Sequence, residues 1–158
     1  MANYEIITKP TFTVLGIGTV LTGDYQTLPA QKQSFWQQTT TNDQYTQLVT
    51  QAQNSLKFAV NEAVNGEMRY YAGVQVANSA ISTGQLRAIV FPDSDYLVVR
   101  GQAATDLELF AQLEGATFGE VLPQLTDQAY VGGPNTTVIT SHTADQVQGE
   151  MWVPVTAK

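Results

Sequence analysis

The sequence predicts an α+β fold: a duplicated strand-helix-strand-strand module whose antiparallel sheet carries helices on one face and a ligand cleft on the other. The chain has 158 residues, 43% of them apolar and 13% charged, which suits one domain that buries a substantial core. Strand-like and helix-like segments alternate in each half of the chain. Short sequence echoes also recur about half a chain apart, and these indicate the duplication.

Two pairs of segments carry the echo. Gly66-Glu67-Met68 recurs as Gly149-Glu150-Met151, and Lys9-Pro10 is matched by Phe91-Pro92, each followed by an apolar run that ends in glycine. The two pairs have nearly the same spacing. We therefore expect a single domain over residues 1–158 with pseudo-repeats of about residues 3–80 and 85–156.

The first half predicts a strand, a helical segment and a hairpin. Residues 4–20 are strand-like around a bulge at Pro10. Pro29 suits the first turn of a helix, and Asn42 is a candidate N-cap for a second helical piece. Asn65-Gly66 is a strong hairpin signal between strands at 56–60 and 67–76.

The second half predicts the same order. Strands at 86–91 and 96–100 are joined by a turn that begins at Pro92. Thr105 and Glu108 form a capping box that opens a helix, Gly115 ends it, and Thr117 with Glu120 forms a second capping box. The last strands are expected at 130–131, 136–140 and 147–155.

Composition excludes several kinds of site. The chain has no cysteine and one histidine, His142, so thiol chemistry, a Ser-His-Asp centre and a multi-histidine metal site are disfavoured, and neither a metal nor a cofactor is expected. Its seven basic residues are scattered and the net charge is −7, which argues against direct nucleic-acid binding. The N-terminus lacks signal-peptide features and no apolar window is long enough to cross a membrane, which predicts a cytoplasmic protein.

Strand alternation gives the leading candidate binding residues. In the last strand Met151, Val153 and Val155 share one face, suited to packing under helices, while Glu150 and Trp152 share the other. A carboxylate beside a large ring offers charge and a stacking surface. This pair predicts a site for an aromatic or amphipathic cation.

Three further residues are weaker candidates for the same site. Glu67 and Tyr71 lie on the corresponding face of the first copy, and Tyr130 adjoins Gly132-Gly133. Glu67 has an ordinary alternative, a surface ion pair with Arg69, Arg87 or Arg100, which would contribute little stability.

The chain resembles the GyrI-like small-molecule-binding domain, the effector-binding domain also found at the C-termini of AraC-type and MerR-type bacterial regulators. The resemblance is carried by Tyr70-Tyr71-Ala72-Gly73-Val74, by residues 96–100 ahead of the second helix, and by the terminal run from Gly149 to Val155. It implies a multidrug-type pocket between the two halves, with Glu150 opposite hydrophobic, often cationic ligands. Trp152 stands where the family usually has tyrosine.

No helix-turn-helix precedes the domain in these 158 residues. We therefore expect a stand-alone binding module, homologous to transcription regulators, whose partner is a small hydrophobic or cationic ligand. Two alternatives stay open. One is a hydrolase of reactive small molecules with Glu150 as general base; the other is a protein that binds a large partner such as DNA gyrase.

Overall fold

Chain contacts divide the protein into two units, as seen in a computed structural model that describes residues 3–158. The first unit is Phe12–Phe91, and the second combines the residues before Phe12 with Pro92–Lys158. Met1 and Ala2 lie outside the described residues. They begin the N-terminal segment, which lacks the features of a signal peptide in its sequence. The chain passes between units just after Pro10 and again at Pro92.

The first unit holds four strands and two helices. Their bounds are β2 Phe12–Leu21, α1 Leu28–Thr39, α2 Asp43–Val49, β3 Lys57–Val64, β4 Glu67–Val76 and β5 Leu86–Phe91. Proline stands in the first turn of α1, and the Asn42 side chain accepts a hydrogen bond from Tyr45 N at 2.9 Å, as an N-cap does. Asn65 and Gly66 have φ of 52° and 82°, the backbone that a two-residue hairpin turn requires.

The second unit holds five strands and a longer helical segment. Their bounds are β1 Asn3–Lys9, β6 Ser94–Ala103, α3 Asp106–Ala116, a π-helical turn Thr117–Val121, α4 Leu122–Gln124, β7 Gln128–Tyr130, β8 Asn135–His142 and β9 Val147–Ala157. Thr105 caps α3, because its side chain accepts a hydrogen bond from Glu108 N at 3.2 Å. This confirms the N-cap role of Thr105 in the first predicted capping box.

The two units have one strand order, and all pairs described are antiparallel. The first unit runs β3-β4-β2-β5 and the second runs β8-β9-β6-β1, with β7 also paired to the end of β9. A long strand, helices and a hairpin therefore recur, which confirms the α+β class and the duplicated module. The edge strand differs in origin, since β5 follows its hairpin in sequence whereas β1 comes from the far end of the chain.

In each unit the helices pack on one face of the strands. In the first unit Tyr70 of β4 meets the Phe35 ring of α1 at 5.9 Å in an edge geometry. In the second unit a Cβ added at Gly149 would lie 2.8 Å from Leu109 of α3, so the odd-numbered residues of β9 face the helix. Met151, Val153 and Val155 are buried there as predicted. Glu150 and Trp152 consequently lie on the helix-free face.

Three sequence expectations were wrong. The predicted strand 4–20 is two strands, because β1 pairs with β6 and β2 pairs with β4 and β5. The strands on either side of Pro92 belong to different units. Gly115 does not break the helical segment, because α3 continues beyond Ala116 as the π-helical turn and α4, through Gln124. Thr117 does not cap a new helix, since it has helical φ and ψ of −67° and −55°.

The described part of the chain contains no helix long and apolar enough to cross a membrane. The assignment of the whole chain to a single domain with pseudo-repeats at 3–80 and 85–156 stays a prediction, as does a cleft between the halves.

Candidate functional site

The predicted pair Glu150 and Trp152 is in direct contact. Trp152 Nε1 donates a hydrogen bond to Glu150 Oε1 at 2.8 Å, and Arg100 Nε donates to Glu150 Oε2 at 3.1 Å. The Trp152 residue is 8% exposed and the Glu150 side chain 22% exposed. Both carboxylate oxygens are thus held by donors, which fixes the charge beside the ring.

Two residues of the edge strand β1 complete this arrangement. Arg100 also forms an ion pair with Glu5. The Lys9 ammonium lies 3.9 Å from the centroid of the Trp152 ring, within the range of a cation–π contact. We call Glu5, Lys9, Arg100, Glu150 and Trp152 the Glu150 cluster; it contains two carboxylates and two cationic side chains.

Strand register explains why these residues meet. In the antiparallel ladder Arg100 lies opposite both Asn3 and Glu150, and Val98 lies opposite both Glu5 and Trp152. Side chains of directly paired residues point to the same face of a sheet. Alternation then places Lys9 on the face that Glu5 shares with Trp152.

A cavity of about 380 Å³ adjoins the Glu150 cluster. Glu150 and Arg100 form part of its wall together with Asn3, Gln102, Thr140 and Gln148. This volume falls at the lower end of the range for small-molecule sites. Trp152 is not part of the cavity wall, so the ring is covered by Lys9 while the carboxylate borders open space.

A second carboxylate in the first unit is held in the same way. Glu62 Oε1 accepts a hydrogen bond from the Tyr71 hydroxyl at 2.9 Å, and Arg87 donates to both Glu62 oxygens at 2.8 and 3.0 Å. The Glu62 side chain is 11% exposed. Burial, together with the bond to Glu62, raises the pKa of Tyr71, and the bond to Glu62 raises the pKa of Arg87. We call Glu62, Tyr71 and Arg87 the Glu62 cluster.

Tyr71 also lines a smaller cavity of about 260 Å³ in the first unit, with Gly18, Arg69 and Arg87 among its walls. Its buried ring lies over Gly18. Glu67 is half-exposed and pairs with Arg69 at 3.0 Å, the surface ion pair that was its alternative interpretation. A binding role for Tyr71 or Glu67 stays a prediction.

Tyr130 lies at the end of β7, partly exposed. Its hydroxyl donates to Gly133 O and accepts from Asn135 Nδ2 at 3.1 Å, and its ring meets Phe118 edge-on at 6.1 Å. These contacts hold the Gly132-Gly133 turn. None of these described contacts of Tyr130 involves the Glu150 cluster, and its binding role stays a prediction.

Sequence reasoning missed Lys9, Arg100 and Glu62. Lys9 and Arg100 reach Glu150 through pairing between strands far apart in sequence, which no local pattern shows. Glu62 was within reach of prediction, because the Asn65-Gly66 turn sets a register that places Val60 opposite Tyr71, and alternation then puts Glu62 on the face of the Tyr71 ring.

Among the described residues no group of three or more histidine, aspartate or glutamate side chains is close enough to hold a metal ion. The arrangement instead offers a fixed carboxylate, an indole face and a bordering cavity. Such groups bind an organic cation by charge and by contact with the ring.

Comparison with known proteins identifies the family of the chain. The profile of the Cass2 family, described as integron-associated effector binding proteins, matches residues 5–155. No curated protein sequence matches the chain.

Solved structures share the fold. The structure of SAV2435 bound to tetraphenylphosphonium has a TM-score of 0.77 at 19% identity, covering 98% of this chain and 94% of that one. A putative transcription regulation protein from Staphylococcus aureus MU50 has a TM-score of 0.67 at 16% identity, covering 98% and 99%. The integron cassette protein VCH_CASS2 from Vibrio cholerae has 0.64 at 10% identity, covering 95% of each chain.

The family profile covers nearly the whole chain, and the likenesses in structure agree with the GyrI-like fold that the sequence predicted. The chain is a small-molecule-binding, effector-binding domain and belongs to the Cass2 family of integron-associated effector binding proteins.

Proposed function

We propose that the protein binds hydrophobic cations, aromatic ones above all, at the Glu150 cluster, with Trp152 as the ring that contacts the cation and Glu150 as the counter-charge. The observation that carries the proposal is the Lys9–Trp152 contact at 3.9 Å. A positive group already rests on this ring within the range of cation–π attraction. The ring and its carboxylate are therefore arranged to hold a cation.

Electrostatics of the chain favour a cation as ligand. The net charge of −7 attracts positive molecules in solution. Within the Glu150 cluster, Glu150 is mostly shielded from water, and a shielded charge attracts an opposite charge more strongly than an exposed one does. The structure with a TM-score of 0.77 was determined with tetraphenylphosphonium, a lipophilic cation, which makes that molecule a suitable probe.

Of the alternative functions, the hydrolase would use Glu150 as a base toward water. Both oxygens of Glu150 accept hydrogen bonds, from Trp152 and Arg100. Such an arrangement favours a fixed counter-charge over a proton acceptor. Ligand contact by Tyr71, Glu67 or Tyr130 stays a prediction.

Isothermal calorimetry with tetraphenylphosphonium chloride tests the proposal. Glu150→Gln keeps the size of the side chain, removes its charge and replaces one of its two acceptor oxygens with an amide NH2, so we expect affinity to fall by about tenfold or more. Glu108→Gln is the matched control, because it makes the same charge change in the first turn of α3, on the helix side of the sheet, and glutamine still suits that capping position. Equal affinity of the Glu150→Gln variant and the wild type would contradict the assigned counter-charge.

A further inference from the structure

The ring proposed to receive the ligand is already covered by a group of the same chain. Lys9 Nζ lies 3.9 Å from the Trp152 ring centroid. The residue is only partly exposed, so its aliphatic stem lies along the protein while the ammonium rests on the indole. A cation from solution therefore meets an occupied face.

The position of Lys9 is set by the fold. It ends β1, whose pairing with β6 runs from Asn3 opposite Arg100 to Lys9 opposite Ser94. This edge strand places an ammonium on the same face as Trp152. Pro10 follows directly, and because proline lacks a backbone N–H and fixes its own φ, β1 ends there.

Opposing effects act on the pKa of the Lys9 ammonium. Burial lowers the pKa of Lys9, attraction to Glu150 opposes that shift, and repulsion from Arg100 adds to it. The carboxylate and the ring therefore compensate only partly for the hydration that the Lys9 ammonium loses on burial. Movement of Lys9 into solvent restores its hydration, which limits the cost of displacing it.

We propose that Lys9 is a tethered competitor that determines the specificity of this site: a ligand binds Trp152 only by displacing the Lys9 ammonium, so the site selects bulky cations with delocalised or shielded charge over primary ammonium ions. The inference rests on the proposed function and adds to it the reason why some cations are preferred over others. Lys9 thus acts as an intramolecular competitor of the ligand for the Trp152 ring.

Charge balance within the cluster supports a one-for-one exchange. Glu5 and Glu150 are balanced by Lys9 and Arg100. When Lys9 leaves the ring and a monovalent cation takes its place, the cluster stays neutral. A neutral ligand of the same shape would leave one carboxylate without its cation.

Selectivity follows from what each ligand gains over Lys9. A primary ammonium ion makes the same contact with the ring that Lys9 makes, but it loses translational freedom on binding while Lys9 is held at a high local concentration by the backbone. A tetra-aryl cation is weakly hydrated and covers more of the ring with apolar surface. It therefore gains more from the exchange than a primary amine does.

Calorimetry on four forms of the full chain tests this. Lys9→Met keeps an unbranched apolar stem and removes the ammonium, and we expect it to bind tetraphenylphosphonium roughly 3- to 30-fold more tightly, the range that cation–π attraction spans. Lys9→Arg retains a cation that stacks on an aromatic ring at least as well as an ammonium does, so we expect it to bind no more than about twofold more tightly than the wild type. Lys57→Met, on β3 of the first unit, changes the net charge identically and is also expected to stay within about twofold.

A second probe, 2-phenylethylammonium chloride, tests the selectivity. We expect the wild type to bind it at least about tenfold more weakly than tetraphenylphosphonium, and Lys9→Met to bind it at least about threefold more tightly than the wild type does. Lys9→Gln provides the same test should Lys9→Met fail to show a cooperative thermal transition. Unchanged or weaker binding of both probes in Lys9→Met, or in Lys9→Gln where that variant replaces it, would overturn the inference. An equal gain in Lys57→Met would also overturn it, because the effect would then belong to net charge.

The outcomes also separate this inference from the proposed function. If the wild type binds tetraphenylphosphonium, Glu150→Gln weakens that binding and Lys9→Met leaves it unchanged, the proposed function stands and the role of Lys9 is wrong. If Glu150→Gln leaves binding unchanged, or if neither the wild type nor Lys9→Met binds the probe, the proposed function is wrong and the inference falls with it.

Discussion

Trp152 and Glu150 contact each other and also two cationic residues from other parts of the sequence. The strand alternation of β9 was enough to predict that these two residues share a face, and the hydrogen bond between them confirms it. Arg100 and Lys9 were not predicted as partners, because each reaches the pair through a neighbouring strand. Local periodicity shows which face a residue takes but not which distant strand lies beside it.

Gly18 leaves space for the Tyr71 ring because it has no side chain. A Cβ added there would lie 2.4 Å from the Tyr71 ring, closer than carbon atoms approach without rearrangement. The absent side chain lets the ring lie flat and places the Tyr71 hydroxyl on Glu62.

We predict that Gly18→Ala destabilises the protein by about 1–3 kcal/mol, the usual cost of adding volume where there is no room. Chemical denaturation measures the change. Gly115→Ala is the matched control, because that position is helical and an added Cβ meets nothing within 4 Å; there we expect a gain of about 0.5–1 kcal/mol. A neutral Gly18→Ala would show that Tyr71 can move without loss.

At the scale of elements, caps and turns were predictable where their chemistry is local. Thr105, Asn42 and Asn65-Gly66 all perform the predicted roles. The break at Gly115 was wrong, because glycine ends a helix only where the backbone turns left-handed, and Gly115 is not among the residues with positive φ. The long strand predicted over 4–20 was wrong because Pro10 separates two strands that have different partners.

The cap of α3 allows a direct test. Thr105→Ala removes the oxygen that accepts from Glu108 N, and we expect a loss of about 1 kcal/mol in the free energy of unfolding. Thr105→Ser retains the acceptor and should lose little. Urea denaturation at neutral pH compares the variants, and equal losses for alanine and serine would assign the effect to the methyl group of threonine.

At the scale of the whole molecule, the duplicated module was predictable and the membership of its edge strands was not. The echo at Pro10 and Pro92 marked the places where the chain passes between units. It gave no indication that β1, at the start of the chain, belongs with Pro92–Lys158. Pairing across nearly the full length of a chain leaves no periodic signal in the sequence.

Burial of Tyr96 makes the free energy of unfolding decrease with pH in the alkaline range. It is fully buried on β6, and its hydroxyl donates to Pro92 O at 2.7 Å. Burial raises the pKa of Tyr96, with Asp93 adding to the shift. The folded state therefore retains a proton that the unfolded state loses above about pH 10, so the free energy of unfolding falls as pH rises beyond that point.

We predict that the free energy of unfolding falls above about pH 10 more steeply in the wild type than in Tyr96→Phe, by about 1.4 kcal/mol per pH unit. The lowered pKa of Lys9 has the opposite sign, since the unfolded state then holds the extra proton, but it is common to both proteins and cancels in the comparison. Denaturation at several pH values between 9 and 11 gives the slopes. Parallel slopes would contradict the assignment to Tyr96.

The central claim is that a hydrophobic cation binds on Trp152 in place of Lys9. A crystal structure of the full chain with tetraphenylphosphonium tests it most directly. We predict the phosphonium within about 6 Å of the Trp152 ring centroid, Glu150 as the nearest carboxylate, and the Lys9 ammonium displaced from the ring. A bound cation elsewhere, with Lys9 still resting on Trp152, would contradict the account.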